Sequence, residues 1–164
     1  MPYSKKVIDA FRNPHNYGKI KDADGVGKVG NPTCGDVMWL YVKVKDDVIT
    51  DIRFETFGCI AALASSSIVT DLAKGKSLSQ MLKLTKEDIL KQLGELPPIK
   101  IHCSVLAIDA LHEAIYDYLL KNKKLIPEEI EKRHQTLEKE KTAIREKYKG
   151  WIEKEEELHQ DDQE

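Results

Sequence analysis

The chain has 164 residues, of which 41% are hydrophobic and 33% are charged, so it is long enough for one domain with a real core. Residues 125–164 hold 13 acidic and 8 Lys or Arg residues, whereas residues 1–124 hold 15 acidic and 18 basic ones, so neither part is basic enough to predict nucleic-acid binding. There is no apolar run of about 18 residues and no signal-like N-terminus, which predicts a cytoplasmic protein without a membrane partner.

The first part of the chain predicts a short helix followed by a small antiparallel sheet. Residues 4–12 have the apolar spacing of an amphipathic helix, and a short strand is expected near Val26–Val29 in an otherwise loop-like segment. Residues 37–45 and 48–57 alternate between apolar and polar side chains on either side of an Asp-Asp turn. We therefore expect a hairpin within a sheet that buries one face.

Helices dominate the second part of the chain. A helix is predicted over residues 60–73, and the capping-box pair Thr85 and Asp88 predicts another that ends near Leu93. The prolines of the Leu-Pro-Pro segment predict an extended stretch, because proline disfavours helix there. Apolar residues then recur at helical spacing over residues 104–121.

The C-terminal residues form a segment of a different kind. Pro127 followed by two glutamates is a typical helix start. One apolar residue then recurs every seven positions, at Ile130, Leu137, Ile144, Trp151 and Leu158. The companion heptad positions are mostly polar, so a long helix is predicted but a coiled coil is not. The predicted organisation is a domain over residues 1–124 and a charged helical extension over residues 125–164.

Three cysteines carry the most informative chemistry. Cys34, Cys59 and Cys103 each lie at a boundary between predicted segments, where loops can approach one another at the end of a sheet. Cys59 and Cys103 also precede helices, whose N-termini favour the thiolate that binds metal. Their odd number and a reducing compartment argue against structural disulfides.

The neighbours of the cysteines are also possible ligands. Asp36 and His102 can each donate to a metal, and Lys100 places a positive charge nearby. Three thiolates favour zinc, copper(I) or an iron–sulfur centre, and a weaker fourth ligand is typical of a site that opens. On spacing alone, the alternative that the cysteines are inert buried residues remains open. The other histidines, including His134, are interpreted as ordinary polar residues.

Three segments together resemble the IscU iron–sulfur scaffold family. These are Asn-Pro-Thr-Cys-Gly-Asp at 31–36, Thr-Phe-Gly-Cys at 56–59 with Ala-Ser-Ser-Ser at 64–67, and Leu-Pro-Pro-Ile-Lys-Ile-His-Cys-Ser-Val-Leu-Ala at 96–107. The resemblance covers roughly residues 1–123. It implies an α+β fold, in which a three-stranded antiparallel sheet has helices packed on one face, and the predicted C-terminal helix adds to it.

The resemblance also implies the chemistry of the site. A [2Fe-2S] cluster would be held by Cys34, Cys59 and Cys103, with Asp36 or His102 able to join, and [4Fe-4S] on a dimer is a further possibility. Asp36 would keep the cluster labile. Cys103 would accept persulfide sulfur, and Lys100 would lie close to the site. Zinc or iron are alternative occupants of the same residues.

Partners follow from the same resemblance. They are an IscS-type cysteine desulfurase, apo iron–sulfur acceptor proteins, a second copy of the chain, and an Hsp70-type chaperone that docks on residues Leu96–Lys100. Ile108, where the family commonly has glutamate, would be an exposed self-association residue. The expected function is a non-enzymatic scaffold that assembles a labile cluster and transfers it.

Two alternatives to the scaffold stay open on the sequence. The first is a zinc protein that acts as a sulfur-transfer enzyme, with zinc as the functional metal. The second is an interaction module with inert cysteines, in which residues 125–164 are the functional part.

Overall fold

The computed structural model describes residues 3–30, 36–94 and 96–147. The elements in chain order are α1 (Lys5–Arg12), β1 (Gly25–Gly30), β2 (Val37–Lys45), β3 (Val48–Phe57), α2 (Ile60–Ala73), α3 (Leu78–Met81), α4 (Lys86–Leu93), a 3-10 turn (Pro98–Lys100), α5 (His102–Lys121) and α6 (Glu128–Lys147). The strands form one antiparallel sheet in the order β1-β2-β3. The predicted α+β class and the C-terminal helix are confirmed.

The hairpin of β2 and β3 has the predicted bounds. Asp46 and Asp47 join the strands with positive φ angles of 53° and 59°, as in the turns that suit a two-residue hairpin. The expectation of a single buried face is wrong at the centre of β2, because Trp39 and Tyr41 on the outer face are also buried. Phe57 packs edge-on against the Trp39 ring, and Tyr41 donates a hydrogen bond to a neighbouring glutamate, so adjacent strands cover that face.

Helix α5 lies against the inner face of β1 and β2 at very short range. A side chain at Gly25 would collide with the carbonyl oxygen of Ala114, and one at Gly27 would collide with that of Ala110. Both glycines therefore permit backbone-to-backbone approach of a strand and a helix. This close packing determines where α5, and with it Cys103, lies relative to the sheet.

The remaining helices complete one layer on the same face. Helix α2 packs on β3 and α5, and α1 packs on α2. The Ser4 hydroxyl accepts a hydrogen bond from the Val7 amide as the cap of α1 and donates one to the Leu93 carbonyl at 2.6 Å. One hydroxyl thus begins α1 and joins it to the end of α4. The predicted capping box of Thr85 and Asp88 is confirmed at the start of α4.

Two predictions between α4 and α5 are corrected. The extended stretch predicted for the Leu-Pro-Pro segment holds at Pro97 but ends there, because Pro98 begins a 3-10 turn that runs to Lys100. Proline is tolerated in a first helical turn, where its missing N–H has no partner to lose. Helix α5 begins at His102, two residues before the predicted start at 104. Cys103 therefore lies within the first turn of α5 rather than in the preceding loop.

Helix α6 packs on α5 through the predicted apolar stripe. Ile130 and Leu137 are buried, whereas Trp151 and Leu158 and the side chain of Ile144 lie outside the described part. Ile108 on α5 is buried, so its predicted role as an exposed self-association residue is wrong. Within residues 3–30, 36–94 and 96–147, every helix is too short or too polar to cross a membrane.

Candidate metal centre

Three ligand-bearing residues converge at one end of the sheet. The start of β2 and the end of β3 are paired at Val37 and Phe57, so Asp36 and Cys59 are brought close by the hairpin itself. Cys59 is the N-cap residue of α2, and Cys103 joins them because α5 packs against α2. We call Asp36, Cys59 and Cys103 the cysteine centre.

The ligand atoms of the cysteine centre are nearly equidistant. The sulfurs of Cys59 and Cys103 are 3.6 Å apart. The Asp36 Oδ2 atom lies 3.9 Å from the Cys59 sulfur and 3.7 Å from the Cys103 sulfur. This triangle is the spacing expected of donors that can bind a common metal, with two soft thiolates and one hard oxygen.

Gly58 keeps the Asp36 carboxylate in this position. A Cβ atom on Gly58 would lie 3.0 Å from the Asp36 carboxyl group and 3.0 Å from the Ala62 methyl. Both approaches are tighter than ordinary van der Waals contact, so glycine leaves the room that the buried carboxylate occupies.

The electrostatics favour a thiolate at Cys59. A hydrogen bond from the Cys103 thiol lowers the pKa of Cys59 to about 5, and the Ala62 backbone N–H and the Lys100 ammonium act in the same direction, against burial and the Asp36 carboxylate. The negative charge of Cys59 in turn raises the pKa of Lys100. Lys100 therefore lies within electrostatic reach of the centre.

Of the two other predicted ligands, one is described in the structure and one is not. His102 lies beside the centre, with its Nε2 atom 3.6 Å from the Cys103 sulfur. Cys34 lies outside the described residues. Cys59 is half-buried whereas Cys103 is fully buried, so the centre opens to solvent on the Cys59 side.

One further group of possible ligands was not recognised in the sequence. Glu113 on α5 and His134 and Glu138 on α6 place one ligand atom each within 4.8 Å of the others. The local signal is the spacing of His134 and Glu138, which are four residues apart and therefore share a helix face. Glu113 is unpredictable from spacing, because only the packing of α6 on α5 brings it there.

The comparison with known sequences points to one family. The family model described as NifU-like N terminal domain matches residues 2–125. The iron-sulfur cluster assembly scaffold protein IscU 1 of Archaeoglobus fulgidus is 58% identical over 123 residues, which are 75% of this chain and 80% of that protein. The scaffold protein IscU of Escherichia coli K12 is 53% identical over 122 residues, covering 72% of this chain and 94% of that protein.

Solved structures show the same fold. The N-terminal part of a NifU-like protein from Brucella abortus superimposes with a TM-score of 0.62 at 23% identity, covering 73% of this chain and 96% of the other. A structure described as an iron–sulfur cluster assembly scaffold protein for the SUF system, from Fervidobacterium islandicum, has a TM-score of 0.59 at 26% identity. The alignment covers 70% of this chain and 97% of the other chain.

Proposed function

The chain belongs to the NifU-like N-terminal domain family, and we propose that it is a scaffold on which an iron–sulfur cluster is assembled and from which it is transferred. The observation that carries this proposal is the convergence of Cys59, Cys103 and Asp36 at the end of the sheet. The cluster is the cargo of such a protein, so its ligands must hold it and also release it.

The donor set suits temporary binding. Two thiolates bind iron strongly, whereas the Asp36 carboxylate is a harder and more easily exchanged ligand. We propose a [2Fe-2S] cluster held by Cys34, Cys59 and Cys103, with Asp36 or His102 as the exchangeable fourth ligand. Zinc is the expected occupant of the same donors when no cluster is present.

Sulfur delivery is proposed to use Cys103 with a cysteine desulfurase as the donor. The Cys103 thiol would first pass its proton to the Cys59 thiolate, whose sulfur lies 3.6 Å away. The resulting Cys103 thiolate would attack the outer sulfur of the donor's persulfide, forming a new S–S bond and releasing the donor cysteine as a thiolate. Because Cys103 is fully buried and Cys59 is half-buried, a donor must approach from the Cys59 side. The positive charge of Lys100 would stabilise the attacking and leaving thiolates at this site.

The remaining partner proposals concern the surface. Residues Leu96–Lys100 are the proposed docking segment for an Hsp70-type chaperone, and since Leu96 is buried while Pro98 is exposed, Pro98 is the more accessible part of it. Apo iron–sulfur proteins are the proposed acceptors. We also propose that residues 1–124 form the scaffold domain and residues 125–164 an extension.

Anaerobic reconstitution tests the proposal. The full chain is mixed with ferrous iron, cysteine and a cysteine desulfurase, and cluster formation is followed by visible absorbance and by iron and sulfide analysis. Cys34→Ser, Cys59→Ser and Cys103→Ser are each expected to lose most of the cluster. Ser104→Ala, which alters the neighbour of Cys103 but no ligand, is the matched control and should load normally.

Two results would reject the scaffold proposal. If the three serine variants load as much cluster as the unaltered chain, the cysteines are not the assembly site. If the protein carries out persulfide transfer only with zinc bound, and the unaltered chain acquires no cluster under these conditions, a zinc-dependent sulfur-transfer enzyme is the better description. Transfer is tested separately, by incubating the loaded protein with an apo ferredoxin and measuring its cluster.

A further inference from the structure

A second group of side chains that can serve as metal ligands lies between α5 and α6. It consists of Glu113, His134 and Glu138, whose ligand atoms all lie within 4.8 Å of one another, and we call it the interhelical cluster. Glu113 comes from α5, whereas His134 and Glu138 are one turn apart on the facing side of α6. Carboxylates and histidines projecting from facing helices are a common way to build a metal site in a helical bundle.

The cluster is compact enough for its three ligand atoms to reach one ion after small side-chain adjustments. The His134 Nδ1 atom lies 2.8 Å from Glu113 Oε2 and 3.1 Å from Oε1. Ligands bound to one metal at about 2.1 Å are separated by about 3 Å in octahedral and about 3.4 Å in tetrahedral geometry, so an ion would widen the present hydrogen-bonded pair slightly. The ring of Tyr116 stacks on the imidazole, with centroids 3.8 Å apart and planes 12° from parallel, and this holds Nδ1 towards Glu113.

The burial of the cluster also fits a cation. The Glu113 side chain is 8% exposed and that of His134 21% exposed. The Glu113 carboxylate is therefore largely removed from water. The Glu138 side chain is 51% exposed, which leaves a path for an ion from solvent. Its present partner is the Lys141 ammonium at 3.4 Å, a long contact that an ion would displace.

We propose that Glu113, His134 and Glu138 bind one divalent first-row transition-metal ion, and that this ion fastens α6 to α5. One imidazole and two carboxylates are borderline to hard donors, which suit Zn²⁺, Co²⁺ or Fe²⁺. His134 binds through Nδ1 with its proton on Nε2, and water completes the coordination. The ion replaces the hydrogen bond between Nδ1 and Glu113, and the proton of that bond goes to solvent.

The interhelical cluster is separate from the cysteine centre. Glu113 follows Cys103 by ten positions on α5, which corresponds to about 15 Å along the helix axis. His134 and Glu138 lie beyond residue 125, where the match to the family model ends. The proposed site therefore depends on the extension of this chain and does not rest on the scaffold function.

Cobalt binding to a thiol-free variant tests the site. Cys34→Ser, Cys59→Ser and Cys103→Ser are combined in the full chain, and Co²⁺ alone is titrated while visible absorption and heat are recorded. One equivalent is expected, with d–d bands and without thiolate charge-transfer absorption. Adding Glu113→Gln or His134→Gln should weaken binding at least about 10-fold, since even supporting residues of metal sites contribute 10–100-fold.

The matched control for the histidine is His15→Gln. His15 also pairs with a carboxylate, Asp71 at 2.7 Å, but that pair is exposed and is not among the three-ligand groups of the described residues. His15→Gln should bind Co²⁺ as tightly as its thiol-free parent. A thermal melt supplies a second readout, because an ion that bridges two helices raises the melting temperature of the parent but not of His134→Gln.

If the triple cysteine variant does not fold, the same question can be tested by metal analysis of proteins that keep their cysteines. Metal analysis should then show one fewer bound Zn²⁺ in His134→Gln than in the unaltered protein, with His15→Gln unchanged. The proposal would be overturned if the unaltered chain and His134→Gln bound the same number of Zn²⁺ ions. It would also be overturned if the thiol-free parent bound Co²⁺ no more tightly than the thiol-free variant that carries His134→Gln. His134 and Glu113 would then be a structural ion pair. Loss of cluster assembly alone has no bearing on this site.

Discussion

The guanidinium of Arg133 binds both carboxylate oxygens of Asp109, which joins α6 to α5 by a two-point ion pair. The Asp109 side chain is only 11% exposed, whereas that of Arg133 is 40% exposed. The buried carboxylate belongs to the part of the chain that matches the family model, and its partner comes from the extension. Helix α6 therefore supplies the counter-charge of a buried carboxylate on α5.

Breaking this pair should destabilise the protein more than breaking an exposed pair on the same helix. Arg133→Met is expected to lower the free energy of unfolding by roughly 1–2 kcal/mol, a value reduced from that of a fully buried pair because Arg133 is partly solvated. Lys132→Met removes an exposed pair with Glu128 and should cost at most about 0.5 kcal/mol. Urea denaturation measures the free energy of unfolding of both variants. Equal decreases would show that the pair of Arg133 and Asp109 stabilises the protein no more than an exposed pair does.

The glycines of β1 should differ in their tolerance of a methyl group. Gly27→Ala forces a Cβ atom into the backbone of α5, so we expect a loss of roughly 2–3 kcal/mol or failure to fold. Gly30→Ala on the same strand places its Cβ 3.6 Å from the nearest atom and should change stability by less than about 1 kcal/mol. Thermal unfolding compares them. A similar small effect in both variants would mean that α5 can shift away from β1.

Gly58 offers a test of the cysteine centre that leaves every ligand in place. Gly58→Ala should displace the Asp36 carboxylate and weaken Zn²⁺ binding by roughly tenfold, as expected when a supporting position of a metal site is altered. Gly30→Ala is again the control, because its Cβ would meet the Asp36 carbonyl oxygen at an ordinary distance. Competition with a chromogenic chelator gives the affinities. Unchanged binding in Gly58→Ala would show that the glycine is not needed to place the Asp36 carboxylate for zinc.

The capping box of α4 predicts a pH dependence of stability. Hydrogen bonds from the Thr85 backbone N–H and hydroxyl lower the pKa of Asp88 below its usual value of 3.8. Because the folded pKa is the lower one, the stabilisation is present above about pH 4 and is lost as the pH falls through the folded pKa. Asp88→Asn should flatten this acid limb of the stability curve, measured by urea denaturation between pH 6 and 2.5. Glu87→Gln in the same turn, which leaves the capping box intact, should keep the slope of the unaltered chain.

Local patterns were sufficient to predict most elements of this protein. Alternating side chains identify β2 and β3, and the pair Thr85 and Asp88 marks the start of α4, because these signals act through neighbouring residues and the hydrogen bonds they make. The motifs around Asp36, Cys59 and Cys103 were also sufficient to indicate the family. Spacing alone did not show that the two cysteines meet.

Tertiary packing decided the relationships between distant segments. The sulfurs of Cys59 and Cys103 are 44 residues apart in the chain and 3.6 Å apart in space, because α5 packs closely on β1 and α2. The burial of Ile108 and the meeting of Glu113 with His134 likewise depend on how whole helices pack. Local hydrogen-bonding preferences can be predicted from neighbouring residues in the sequence. Contacts between distant segments depend on how the shapes of complete helices and strands fit together, so they are known only from the tertiary structure.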